Sequence, residues 1–335
     1  MSLTKTSDST LIAPPRINPA RALSSWSSFG LLIVLVVVFV ILGLTAPNFL
    51  TLSNLLNIVQ QAAFFGIVAL AMTLVIVAGE IDISVGSLAA LSSSLLGIFV
   101  VNVGLPMWLA CIVVLVVALA IGSFSGWVRA KFGVPTFIVT LALYLALRGG
   151  AEWITNAFPI PIDSTKFFYW GTGKIGDVVP VPAVYLVVVF VIIAVVAQKT
   201  VFGRSIYAVG GNARAAELSG INVRRIRIAV MAISALTAAM TGLLQSAQLS
   251  SGTSTIANGM EFQAISAAII GGAALSGGRG TVVGTLIGVI FLAVLLNGMV
   301  LLGVNPYAQQ VFQGAIVLIA VLVNVLRSRR SSTVV

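Results

Sequence analysis

The stretch Lys199–Arg227, KTVFGRSIYAVGGNARAAELSGINVRRIR, separates two long apolar runs and carries six of the chain's 18 Lys and Arg residues. Gly210 and Gly211 interrupt what precedes them, Asn212 has a good N-cap side chain, and Gly220 suits the position just past a helix end. The Ala-rich run Ala213–Ser219 between them predicts a two-turn helix, with Arg214 and Glu217 as a weak pair on one face. So short a helix barely recovers its nucleation cost alone, so its order has to come from docking. Two readings stay open: a solvated basic loop on the cytosolic side, or a helix seated in a partner's groove.

The surroundings fix the class. Of 335 residues, 59% are hydrophobic and 8% charged, in repeated long uncharged runs, which marks an all-α polytopic membrane protein. The net charge of +10 would suggest nucleic acid in a soluble domain, but here the basic residues sit in short segments between apolar runs and report orientation. With no His and only Cys111, disulfides, imidazole acid–base catalysis and thiolate metal sites have almost no material. A cleaved signal peptide is not expected, because the polar tail before Phe29 is long and Pro47 follows the small residue Ala46.

Uncharged apolar runs predict about ten spans: Phe29–Ala46, Ala62–Ala78, Val85–Val101, Leu105–Val128, Val134–Leu147, Val181–Ala197, Ile228–Leu249, Phe262–Ala274, Thr281–Leu302 and Tyr307–Leu326. The shorter ones are candidates for broken or re-entrant helices, which need cover from protein or a wet cavity. With the tail 1–28 in the cytosol, 15 of the 18 basic residues fall inside and only Arg148, Lys166 and Lys174 outside. The positive-inside rule therefore puts both termini, including residues 327–335, in the cytosol, with 29–326 as the membrane domain, 152–180 as an external loop and 199–227 as a cytosolic one. Ten spans make two halves of five, oppositely oriented if homologous. Gly79–Ser93 and Gly259–Gly272 echo one another faintly, as inverted repeats do in transporters.

Two nucleotide-like fragments fail. GTGK at Gly171–Lys174 has Phe168 where the first glycine of a phosphate loop belongs and Ile175 after the lysine, and LSGG at Leu275–Gly278 has no such loop upstream. Among acidic residues, Glu80, Asp82 and Glu261 lie close to or within spans, where ionisable groups raise the possibility of a proton relay or cation site. Their neighbours Gly79, Ser84, Gly86 and Gly259 favour a helix break instead, with carboxylates accepting from free backbone N–H groups. Thr281, Gly284, Thr285 and Gly288 form a small-residue face suited to close helix packing. Asn57, Gln60, Gln61, Gln245, Gln248, Asn297, Gln310, Gln313 and Asn324 either bond between helices or line a wet passage. Asn57, Gln60, Gln61, Phe64, Phe65 and Asn297 make a pathway set suited to a neutral polyol. In the external loop, Trp153, Phe158 and Phe167–Trp170 read as an interfacial aromatic belt or as a surface for an extracytoplasmic partner.

Three blocks carry a resemblance: GRSIYAVGGNARAAELSGINVRRIRI from Gly203, AGEIDISVGSL from Ala78, and EFQAISAAIIGGAALSGGRGTVVGTLIGV from Glu261. Together they resemble the permease subunits of bacterial ABC importers of the ribose and simple-sugar type, over nearly the whole chain beyond the N-terminal tail. The chain departs from the usual Gly-Gly-Ile-Asp-Leu-Ser at one place, where Glu80 replaces the second glycine. The resemblance implies a multi-pass protein of the bacterial inner membrane that pairs with a second copy as a homodimer. It also implies cytosolic ABC ATPase domains that hold ATP and Mg, and an extracytoplasmic sugar-binding protein that delivers the cargo. The chain itself would hold no cofactor or metal and do no chemistry. Asn212, Ala213, Ala215, Ala216, Glu217, Ser219, Gly220 and Ile221 match the family's ATPase-coupling motif. The expected function is the translocation path for a small neutral sugar. A nucleoside or branched-chain amino-acid permease is the near alternative, and a cation-coupled carrier using Glu80, Asp82 and Glu261 the distant one.

Overall fold

A computed structural model describes residues 19–332. Residues 1–18 of the expected N-terminal tail and 333–335 of the C-terminal one lie outside the described residues. The helices are α1 (Pro19–Thr45), α2 (Leu52–Val77), α3 (Val85–Gly97), α4 (Met107–Phe132), α5 (Thr136–Thr155), α6 (Thr165–Thr172), α7 (Val181–Lys199), α8 (Val201–Gly211), α9 (Ala213–Leu218), α10 (Val223–Leu249), α11 (Met260–Ile270), α12 (Val282–Leu301) and α13 (Pro306–Ser332). A π-helical turn over Ile98–Asn102 prolongs α3. Each of the ten apolar runs is helical, and seven of the helices described are long and apolar enough to cross a membrane.

Polar residues at the run boundaries set the ends. Thr51, Thr281 and Asn222 cap α2, α12 and α10 by accepting from the N–H groups of Asn54, Gly284 and Arg225, while Gly133, in the left-handed region, closes α4. The run Phe262–Ala274 is shorter than expected: α11 has 11 residues, about 16 Å of helix, which is roughly half a bilayer core. Gly271 and the turn Gly272–Gly280 take over from Ile270. Conversely, α5 runs on past Leu147 to Thr155 and takes Arg148 into a helix.

α2 is the axis of the molecule, buried continuously from Ala62 to Ala78 and packed by α7, α10, α11 and α12. α10 packs on α2, α3 and α4 in the same manner that α2 packs on α10, α11 and α12, and α3 meets α5 as α11 meets α13. These pairings map onto one another when α2–α5 are exchanged with α10–α13. The small-residue face of α12 does what its composition requires: a Cβ at Gly284 would run into the Gly271 carbonyl and one at Gly288 into that of Ala267, so α11 and α12 touch backbone to backbone. Asn54 and Asn297, both buried, exchange two amide hydrogen bonds of 2.9 Å and fix α2 against α12, aided lower down by a 2.6 Å Thr73–Thr285 hydroxyl contact.

The segment 152–180, expected as an external loop, is more ordered than a loop. Its strand β1 (Ile160–Pro161) and a later strand β4 (Ser251–Gly252) pair antiparallel, while β2 (Lys174–Ile175) and β3 (Val179–Pro180) form a small hairpin. Phe167 of α6 is buried against Leu96, Ala110, Val114 and Ala247, so only Trp153, Phe158, Phe168, Tyr169 and Trp170 are available as an aromatic surface.

Candidate coupling platform

The basic stretch holds two helices, not one. α8 starts at Thr200, whose hydroxyl accepts from the Gly203 N–H at 3.0 Å, and buries Gly203, Ile206 and Val209, one every third residue. That spacing was readable, but the glycines and Arg204 around it disguise the helix. α9 follows as a six-residue helix, one residue shorter than the run Ala213–Ser219, with the Asn212 side chain accepting from Ala215 N–H at 3.0 Å and Gly220 at φ +87° past its end. Its order does come from docking, onto its own chain. Ala216 is buried in the main core and its carbonyl accepts from Ile221 N–H, while Arg214, Ala215, Glu217, Leu218 and Ser219 stay exposed. Leu218 is 75% exposed, and the Arg214–Glu217 pair (3.0 Å) lies in solvent, where it contributes little.

α8 is wedged between two glycine-bearing turns. Gly278 N–H donates to the Val77 carbonyl at 2.8 Å, and a Cβ at Gly210 would collide with that same carbonyl and with Gly278 N. The Tyr207 hydroxyl donates to the Gly280 carbonyl at 2.9 Å. The LSGG fragment is thus the abutment that joins α8 to the end of α2.

The break after α2 adjoins this abutment, since a Cβ at Gly277 would come within 3.0 Å of the Gly79 Cα. Asp82 acts there as expected, accepting from Ser84 N–H at 3.0 Å and from the Ser84 and Ser234 hydroxyls at 2.7 and 2.8 Å. Glu80 does not cap. Its buried carboxylate is held by Arg129 of α4 at 3.0 Å, Arg227 of α10 at 2.6 Å and the Thr136 hydroxyl of α5 at 2.8 Å, so it ties three helices to the break. The Thr136 and Thr140 hydroxyls also accept from the N–H groups of Ile81 and Ile83. Glu261 departs from the expectation too: it lies in the first turn of α11 without capping it, and points into the space that Gly86 leaves at the start of α3. At the break, then, the charges of Glu80 and Asp82 are held by fixed partners.

Residues 54–321 match the family described as branched-chain amino acid transport system / permease component. The chain belongs to this permease family. The permease is 46% identical to the probable ABC transporter permease protein YphD of Escherichia coli K12, over 91% of its own length and 92% of the relative's. It is 41% identical to the ribose import permease protein RbsC of the same strain (88% and 92%) and 35% identical to the xylose transport system permease protein XylH (86% and 88%). No solved structure matches the permease.

The pathway set does not form one surface within a single permease chain. Asn57 and Gln61 are exposed, and Gln60 is half-buried with its amide donating to the Gly171 carbonyl at 2.9 Å. Phe64 and Phe65 are core residues, and Asn297 is consumed by Asn54. Sequence reasoning missed Asn54, Arg129, Arg227 and Arg148. For the arginines the signal was masked, because each sits among other basic or apolar residues that already had an explanation in orientation.

Proposed function

We propose that the permease forms the path by which a small neutral sugar enters a bacterial cell across the inner membrane, driven by ATP that partner ABC ATPase domains hydrolyse with Mg. The observation that carries this reading is α9: a helix anchored through Ala216 to a rigid abutment while its outer face, including Leu218, stays bare. A partner that moves α9 moves the end of α2 and the start of α10 with it, which is what rocking of spans between outward- and inward-facing states requires. The named cargoes of the ribose and xylose relatives support a pentose-like substrate. The reading includes ten spans in two inverted halves, both termini in the cytosol, a homodimer, and an extracytoplasmic binding protein that docks on the aromatic surface of the external segment.

The test is co-reconstitution of the permease with its ATPase and binding protein in proteoliposomes and measurement of labelled D-ribose and D-xylose uptake. Ala215→Trp with Leu218→Arg is expected to abolish ATPase association and uptake while leaving the unfolding temperature of the permease unchanged. ATP-driven uptake undiminished in that double variant would overturn the coupling role. Uptake that follows a proton or sodium gradient without ATP would overturn the importer reading.

A further inference from the structure

Arg148 and Glu261 both carry buried, unpartnered polar atoms that the platform does not explain. Glu261 is fully buried, and neither carboxylate oxygen has a well-formed hydrogen bond. Arg148 donates through Nη1 to the carbonyls of Ser254 and Ile256, but its Nε and Nη2 are buried and unpartnered, as is the Ser254 hydroxyl. The same short segment brings the two together: Arg148 reaches the Ile256 carbonyl, and the next carbonyl, that of Ala257, lies beside the Glu261 carboxylate at Gly86, with no ion pair between them within 4.0 Å. In a membrane interior, open donors and acceptors on buried charges are costly, and ionisable groups that persist there mark functional sites.

Gly86 makes room for the Glu261 carboxylate, because a Cβ there would strike the carboxylate and lie 2.6 Å from the Ala257 carbonyl. On the other flank, Gly149 and Gly150 of α5 border open space, so Arg148 stands between the packed interior and the exposed face of α5. The segment 253–257 covers the pair. It is held by Arg148 and by Ser93, whose hydroxyl accepts from Thr253 N–H at 2.9 Å, and it continues from β4, which the external segment grips through β1. Ala257 at its end and Ser250 just before β4 adopt left-handed φ values of 57° and 48°, which are uncommon for residues with a Cβ.

We propose that Arg148 and Glu261 form a polyol-contacting subsite, covered by residues 253–257, that takes adjacent hydroxyls of the sugar as it passes. Guanidinium N–H groups donate to a hydroxyl oxygen while the carboxylate accepts hydroxyl hydrogens, and the opposite charges cancel, so a neutral solute completes the set. The proposal rests on the sugar-import reading. It adds a place and a mode of contact.

The test uses the detergent-solubilised permease–ATPase complex and saturation-transfer NMR with millimolar D-ribose and D-xylose, with L-leucine as comparator. The expected result is a sugar signal that falls about tenfold in Glu261→Gln and in Arg148→Gln, the size of one lost hydrogen bond to a charged group. Should either variant fail to assemble, Arg148→Lys keeps the charge but removes the Nε and Nη2 donors, and is expected to weaken ribose more than 2-deoxyribose. Importer that takes up ribose but shows an unchanged signal in these variants overturns the subsite alone. A leucine signal lost in the variants in place of a sugar signal overturns it in favour of a zwitterion site. Wild-type importer with no ATP-driven sugar uptake overturns the transport reading, and the subsite with it.

Discussion

Replacing Glu80 by Gln removes the one carboxylate among the described residues that pairs with both Arg129 and Arg227. The side chain of Glu80 is 2% exposed, those of the arginines 22% and 21%, so water reaches the cations only in part. Breaking a buried pair from one side costs about 3–5 kcal/mol, and the residual exposure of both arginines places this case at the lower end, about 3 kcal/mol. Part of that loss is repulsion between guanidinium groups left facing one another. The double variant Glu80→Gln with Arg227→Gln should therefore recover a coupling energy of about 1–3 kcal/mol relative to the sum of the single changes. The chain has five Trp residues, so unfolding in mixed micelles can be followed by intrinsic fluorescence. An unfolding free energy for Glu80→Gln within about 0.5 kcal/mol of the parent, the range of a neutral surface change, would refute the claim that this carboxylate holds the break.

Asn54→Ala leaves the Asn297 amide buried without its partner and is expected to cost about 1–3 kcal/mol, whereas Asn54→Leu with Asn297→Leu should recover most of it; the same unfolding measurement decides. Gly210→Val drives a side chain into the Val77 carbonyl and the Gly278 amide, both backbone and unable to yield, so the yield of folded, monodisperse protein in size-exclusion chromatography should fall sharply. Gly211→Ala, whose Cβ meets nothing, should behave as the parent in that chromatography.

The parts legible in the sequence were those fixed by local chemistry. Long uncharged runs gave the helices because backbone groups in a membrane must be satisfied within the segment. Asn212 and Gly220 bracketed α9 because an N-cap and a left-handed terminus are properties of single residues. What stayed hidden depends on contacts between distant parts of the chain. Glu80 looked like a cap because its true partners arrive on α4, α5 and α10, and Glu261 looked the same because Gly86 comes from another half of the molecule. Gln60, Phe64, Phe65 and Asn297 suggested a passage by residue type, but type alone does not say which face of α2 or α12 turns inward.

The unequal seating of the helices bears on where motion can occur. The span of α2 is 83% buried and that of α5 17%, and α11 and α12 meet backbone to backbone at Gly271–Gly284 and Ala267–Gly288. The centre is therefore a frame, and α5, packed on α3, a panel also held by a few discrete fastenings: Thr136 to Glu80 and Ile81, Thr140 to Ile83, and Arg148 to Ser254 and Ile256. Fastenings of this kind have no halfway setting. A hydrogen bond that loses its partner in the membrane must find another at once, so the panel would shift between a small number of latched positions instead of drifting, and the cost of each shift would be counted in whole bonds.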